Sequence, residues 1–269
     1  MRFLNLYWRT IKDRLLSWPT IAASVILYIL LVIGIYPSFA GNPAFKAILE
    51  SYPKAILSLL AGGGGGLTLL SPEGFFSIEF LQLWGMIIVA GFIMATATAI
   101  VAKEVDGHTM DLLLTQPIDR VEYLTARVAA DLTMVLGLVV TIMGSAWTGT
   151  KLFDFPLKTD GLIAAGVLLF SLYVLMEAFC LLMGVVMERG RAVIVSVAAL
   201  IASHLLNALA DFNKTIEGWR WLSIFHYYQP GEALITGQVP WPVVLLFSSL
   251  AVVLFTAAVV IFREKDIPA

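Results

Sequence analysis

The chain has 269 residues, of which 59% are hydrophobic and 13% are charged, and its mean hydropathy is +0.90. Soluble domains carry about 25% charged residues, so this chain has too few charges to cover a water-exposed surface. Its formal net charge of −2 argues against a nucleic-acid partner, which would require a basic stripe. A single cysteine, Cys180, rules out an internal disulfide. The composition predicts an integral membrane protein whose main partner is the lipid bilayer.

The first 17 residues predict an amphipathic helix that lies on the membrane surface. Apolar side chains recur at helical spacing at Phe3, Leu4, Tyr7, Trp8, Ile11 and Leu15. Basic side chains lie among them at Arg2, Arg9, Lys12 and Arg14. This pattern is typical of an interfacial helix. A cleaved signal peptide would need a small-residue cleavage site after its apolar core, and a full-length apolar span follows here instead.

Six uncharged or nearly uncharged stretches are long enough to cross about 30 Å of hydrocarbon as helices. They lie at about 19–39, 80–102, 132–150, 161–187, 192–210 and 241–262. A seventh candidate, residues 55–72, contains five consecutive glycines, each of which costs a helix about 1 kcal/mol. We interpret that stretch as a short amphipathic or re-entrant element. The predicted fold is therefore a single all-α transmembrane domain with six spans.

The distribution of lysine and arginine predicts the orientation of the spans. With both termini in the cytoplasm, eleven of these residues lie in cytoplasmic segments and six lie outside. This orientation makes 41–79 and 211–240 extracytoplasmic loops and places 103–131 in the cytoplasm. We therefore expect a multi-pass protein of the cell membrane.

A polar segment, Lys103–Arg120, separates the second and third spans. Gly107 is expected to break the helix that continues from the second span. Thr109 can then cap a short new helix, and Asp111 in the first turn complements the helix dipole. Pro117 ends this helix, and a second cytoplasmic helix from about Asp119 leads into the third span. The apolar side of the first of these helices is formed by Met110, Leu112, Leu113 and Leu114. Such a helix is suited to a groove on a soluble partner.

The polar segment resembles that of the permease subunits of type-2 ATP-binding-cassette (ABC) transporters, whose pattern is roughly E-x-x-x-G-T-L-E-L-L-L-x-x-P-x-x-R. Glu104, Thr109, Met110, Asp111, Leu112, Leu113, Leu114, Pro117 and Arg120 match it in register. His108 stands where the family usually has glycine, and Gly107 lies one position earlier. Further similarity covers the outer segment with its glycine run, the stretch 227–232 and the closing stretch 262–267.

The resemblance implies an exporter in which two six-span permeases, identical or homologous, lie on two copies of a cytoplasmic ATPase subunit. The polar segment would be the coupling helix in the ATPase groove, with Asp106 and Gly107 beside the matching positions. ATP and Mg²⁺ would bind the ATPase, because the chain lacks G-x-x-x-x-G-K-[ST] and needs no cofactor of its own. We therefore expect a transport subunit and not an enzyme. Residues 103–131 contain six acids and three bases, which predicts a basic rim on the partner groove.

Polar residues inside the spans suggest a second site. Glu177 is an acid within the fourth span, where ionisable groups are costly enough to indicate function. His204, Asn207 and Asp211 share one face of the fifth span at helical spacing. These residues could belong to a substrate path or a proton-linked site, or could form interhelical hydrogen bonds that stabilise the bundle. No third ligand accompanies His204 and Asp211, so a metal site is not predicted.

Two other functions remain open at this stage. The first is an ATP-independent secondary transporter or channel that uses Glu177 and His204, which would be expected to show internal repeats and more charged spans. The second is a membrane-embedded enzyme, which would require a clustered nucleophile or metal set that the chain lacks. The transported substrate is not predicted by the sequence.

Overall fold

The computed structural model describes residues 2–44, 47, 51, 70–106 and 119–265. Within these ranges the chain is helical apart from turns and connecting segments, without any β-strand. Six helices in the described part are long and apolar enough to cross a membrane. We call them the first to sixth spans: Ser17–Ala40, Pro72–Ala102, Arg120–Leu152, Thr159–Val186, Arg189–Ala210 and Trp241–Glu264. The all-α class and the six apolar helices are as predicted, whereas the glycine run lies outside the described residues.

An amino-terminal helix, Arg2–Asp13, precedes the first span. It packs along the third span, where the Tyr7 hydroxyl donates a hydrogen bond to Thr133 Oγ1 at 3.0 Å. Leu4 and Trp8 remain exposed on another face of this helix. The predicted helix is therefore present, and its position at a membrane surface stays a prediction.

The second span begins at Pro72, eight residues before the predicted Phe80. Ser71 caps its first turn by accepting a hydrogen bond from the Gly74 N–H at 3.1 Å, and Pro72 occupies the first helical position. The segment Ser77–Trp84 is a π-helix, and α-helix resumes over Gly85–Ala97 and Ala99–Asp106. Residues 72–79 thus belong to the span and not to the predicted outer loop.

The third span also begins earlier than its apolar residues indicate. It is one continuous helix of 33 residues that starts at Arg120, whereas the hydropathy placed its start at Leu132. Twelve residues of the predicted coupling region, 120–131, are therefore the first turns of this helix. Asp131 is buried within it.

Contacts between helix ends define two ends of the bundle. One end of the bundle, which we call the terminal end, contains the amino-terminal helix, Asp106, Arg120, Val186 and Glu264. The opposite end, which we call the loop end, contains Leu70 and residues 153–158 and 211–240. Asp106 and Arg120, the described residues on either side of 107–118, therefore lie at the same end of the bundle as the two ends of the described chain.

The fourth span is the central helix of the fold. It packs against the second, third, fifth and sixth spans and against a short loop-end helix, Pro230–Thr236. Gly161 lies so close to the carbonyl group of Leu234 that a Cβ atom there would collide with it. The loop 211–240 also contains Lys214–Glu217, a 3₁₀ turn at Arg220–Leu222, and Ile224–Tyr227.

Candidate functional site

Most of the predicted coupling residues cannot be placed. The predicted coupling residues that lie outside the described part of the chain are Gly107, Thr109, Met110, Asp111, Leu112, Leu113, Leu114 and Pro117. Glu104 and Asp106 belong to the helix Ala99–Asp106, which continues the second span as predicted. Arg120 is the first residue of the third span, and the exposed Asp119 precedes it in extended conformation.

Arg120 ties the end of the polar segment to the end of the sixth span. Its Nη1 donates hydrogen bonds to the carbonyl groups of Phe262, Arg263 and Lys265, at 3.5, 3.4 and 2.7 Å. A cation is stabilised there by the carbonyl groups that a helix leaves unpaired at its carboxyl end. Lys265 Nζ donates in turn to the Val185 carbonyl of the fourth span at 2.6 Å.

The terminal end also has a small hydrophobic core of its own. It joins the second, third, fourth and sixth spans through Ile100, Val101, Tyr123, Leu124, Leu181, Val185, Ala258 and Phe262. The Tyr123 hydroxyl donates to the Ile100 carbonyl at 3.3 Å, which links the helices on either side of the polar segment. A displacement of either end of this segment would therefore be passed to four spans.

The strongest concentration of buried charge is at Arg14, Asp131 and Glu177, which we call the buried charge cluster. Asp131 is 1% exposed and Glu177 is 0% exposed. Arg14 Nη1 donates to Asp131 Oδ1 in an ion pair, and Arg14 Nη2 donates to the Thr96 carbonyl at 3.4 Å. Arg14 therefore ties the amino-terminal helix to the second and third spans.

This cluster corrects two sequence expectations. The sequence predicts Asp131 among the acids that face a partner groove, but it is buried against Arg14 and cannot belong to a charged outer surface. The sequence predicts Glu177 as an acid within a span, and the structure places Asp131 beside it. The available signal was the apolar helical pattern that continues upstream of Leu132, through Ala129 and Ala130.

The face formed by His204, Asn207 and Asp211 contacts the loop end and not the buried charge cluster. Arg220 donates from Nε to Asn207 Oδ1 at 2.9 Å and from Nη1 to Asp211 Oδ1 at 2.8 Å. The His204 ring packs edge-on against Phe225 with centroids 5.2 Å apart. The structure therefore brings Asn207 and Asp211 together through Arg220, but it does not join this face to Glu177. In the ranges that are described, His, Cys, Asp and Glu form no group of three suited to a metal ion.

An apolar cavity of about 310 Å³ lies among the second, fourth, fifth and sixth spans. Met94, Phe179 and Leu254 contribute to its apolar wall, and the polar lining residues are Cys180, Ser196 and Ser203. The Ser196 hydroxyl is buried and has no hydrogen-bond partner among the described residues. The cavity can accommodate an uncharged, mainly apolar group.

A second, more polar cavity of about 370 Å³ lies at the loop end. His226, Gln229, Glu232 and Gln238 line part of it. Burial lowers the pKa of His226 below its usual value, and the nearby Arg220 guanidinium lowers it further. Both effects favour the neutral form of the imidazole over the charged form.

Comparison of the chain with family models and with curated proteins finds no match in either set.

Proposed function

We propose that the chain is the membrane-spanning permease subunit of an ATP-driven ABC exporter and that it couples to a separate cytoplasmic ATPase subunit. Two permeases, identical or homologous, would share two ATPase copies, which bind ATP and Mg²⁺. In this arrangement both termini and the polar segment lie in the cytoplasm. The transmembrane character of six apolar helices in the described part supports the membrane role.

The observation that carries the proposal is the attachment of both ends of the polar segment to the bundle. On one side, the second span continues as the helix Ala99–Asp106, which includes the first residues of the polar segment. On the other side, Arg120 starts the third span and donates to carbonyl groups at the end of the sixth. A segment anchored in this way can transmit a push from a partner to several spans at once.

The amino-terminal helix provides a second contact at the same end. Arg14 holds this helix against Asp131 of the third span and against the backbone of the second span. An ATPase that displaced the polar segment would therefore move the amino-terminal helix with the two spans that flank it. This is the mechanical behaviour that a coupling region requires.

Purification from native membranes tests the proposal. We expect a cassette-type ATPase to co-purify with the chain and to show vanadate-sensitive ATP hydrolysis in the reconstituted complex. Charge reversal at Asp111 and Asp119 should weaken assembly with that ATPase. Glu188→Lys is the matched control, because Glu188 is an exposed acid at the same end of the bundle but lies outside the polar segment.

Two results would contradict different parts of the proposal. If no cassette ATPase accompanies the chain and vanadate leaves transport unchanged, the exporter function is wrong. If the ATPase binds and the Asp111 and Asp119 reversals behave like Glu188→Lys, the basic rim on its groove is wrong. The ATP-independent alternative would need Glu177 and His204 in one path, and their contacts lie in different halves of the bundle.

A further inference from the structure

The buried charge cluster contains more acid than base. Arg14 is paired with Asp131, and the Glu177 carboxyl group lies within hydrogen-bonding reach of the Asp131 carboxyl group. Neither oxygen of Glu177 has a hydrogen-bond donor as partner in the described part of the chain, and the same holds for Asp131 Oδ2. Three buried carboxyl oxygens therefore lack a donor among the described residues, and a proton bound to one of the two carboxyl groups would supply an O–H donor.

Among the described residues, Arg14 is the cation whose charge acts on Glu177. The second span has no ionisable charge between Phe80 and Ala102, and the sixth has none between Trp241 and Phe262. On the third span, Arg127 lies near Asp131 and over the ring of Tyr123. Cys180 of the fourth span is an uncharged neighbour of Glu177, and Ser196 of the fifth span lies beside Cys180.

Two ionised carboxylates at this position would be unstable. Burying an unpaired carboxylate is energetically costly, and a second one alongside adds repulsion. A single proton removes the second charge and supplies the missing donor. Since Asp131 already accepts from Arg14, the proton belongs on Glu177, whose O–H then donates to the free oxygen of Asp131.

We propose that Asp131 and Glu177 form a buried proton-binding site, which we call the carboxyl pair, and that its proton occupancy is linked to the contact between Arg14 and Asp131. While Arg14 is docked, the pair holds one proton. When Arg14 withdraws, Asp131 loses its counter-ion and takes a second proton from water, which forms a new O–H bond on Asp131. When Arg14 returns, that proton goes back to water.

The linkage between proton binding to the carboxyl pair and the contact of Arg14 with Asp131 is reciprocal. Withdrawal of Arg14 favours proton uptake, so a second proton on the pair must favour withdrawal of Arg14. Because Arg14 follows the amino-terminal helix directly, any movement of this helix that breaks the ion pair is accompanied by proton uptake. The proposal concerns residues of this chain alone and holds whether or not a partner ATPase exists.

Infrared spectroscopy of the full-length protein in lipid nanodiscs tests the site directly, because a protonated carboxyl group has its own C=O band. We expect a protonated-carboxyl band at neutral pH that shifts on ¹³C-glutamate labelling and is lost in Glu177→Gln. In Arg14→Gln, a second protonated band should appear and should be lost again when Asp131→Asn is added. Arg9→Gln is the matched control, since Arg9 is an exposed arginine of the same helix, and it should add no band.

Two outcomes would overturn the proposal. A wild-type spectrum without a glutamate-sensitive protonated band would mean that Glu177 is ionised. Absence of a second band in Arg14→Gln would mean that the proton occupancy does not depend on Arg14. The isotope experiment requires no substitution, so absence of the band in the labelled wild type would overturn the proposal even if Glu177→Gln fails to fold. Co-purification of an ATPase is a separate measurement, so failure here and failure of the exporter proposal are distinguishable.

Discussion

Arg14 and Asp131 are unequal partners, because only the carboxylate can lose its charge by taking a proton. A guanidinium stays protonated at any pH that a protein tolerates. Both side chains are largely buried, with Arg14 14% exposed and Asp131 1% exposed. Removal of either partner leaves one buried charge. A remaining Asp131 carboxylate can be neutralised by a proton, whereas a remaining Arg14 guanidinium stays charged.

We predict that Asp131→Leu destabilises the protein more than Arg14→Met does. The first leaves an arginine that cannot discharge, and loss of one partner of a buried pair costs about 3–5 kcal/mol. The second leaves an acid that can be protonated, so its cost should be smaller. The double variant should recover much of the loss, because it removes both buried charges. Thermal unfolding of the detergent-solubilised protein measures the order, and equal losses in both single variants would contradict the argument.

The lowered pKa of His226 at the loop end predicts that the stability of the protein depends on pH. Its pKa is lowered in the folded protein by burial and by Arg220, so the unfolded chain binds the proton more tightly. Stability should therefore fall as the pH drops from the usual histidine value of about 6.5 to the lowered value. Unfolding midpoints measured against pH should show this loss in the wild type. His226→Gln should lack that part of the pH dependence, and identical profiles for the two proteins would exclude the effect.

At the scale of elements, the fourth span fits against its neighbours through glycines that no larger residue can replace. A Cβ atom on Gly184 would lie 2.5 Å from the carbonyl oxygen of Thr98 and 2.9 Å from its Cα. These are backbone atoms of the second span, so they cannot move aside as a flexible side chain would. Gly91 on the second span is the opposite case, since a Cβ atom there meets open space.

We predict that Gly184→Ala destabilises the bundle by about 1–3 kcal/mol, the usual cost of overpacking. Gly91→Ala should be neutral or stabilising, because alanine is favoured over glycine within a helix. Thermal unfolding of both variants under the same conditions provides the comparison. If Gly184→Ala were as stable as Gly91→Ala, the second and fourth spans would not be packed as closely as described.

The sequence predicts the elements that depend on local hydropathy and misses those that depend on tertiary partners. Six long apolar stretches are sufficient to predict six spans. A helix from about Asp119 that leads into the third span is predicted, but hydropathy alone starts the span at Leu132, because its first turns are polar and their partners lie on other spans, as with Arg120 and Tyr123. Glu177 could be singled out as a lone acid, but its association with Asp131 could not. Arg14 lies 117 residues away from Asp131, so nothing in the local pattern indicates their pairing.

At the scale of the whole molecule, burial is uneven among the spans. In the most apolar window of each helix, 67% of the second and fourth spans is buried, against 28% of the first and 22% of the fifth and sixth. Away from their charged ends, the exposed surfaces of these three spans are mainly apolar, with Leu27, Ile194 and Val253 among them. Lipid or a second copy of the chain can cover such surfaces without desolvating charge.

The orientation of the bundle decides whether a cytoplasmic ATPase can reach the polar segment at all. The single native cysteine, Cys180, is buried, so the wild-type chain should react little with a membrane-impermeant maleimide. Cysteines introduced at the exposed positions Asn213 and Glu188 report the loop end and the terminal end, respectively. We predict that Asn213→Cys is labelled in intact cells and that Glu188→Cys is labelled only after permeabilisation. The reverse pattern would place the polar segment outside the cell, where ATP-driven coupling through it is impossible.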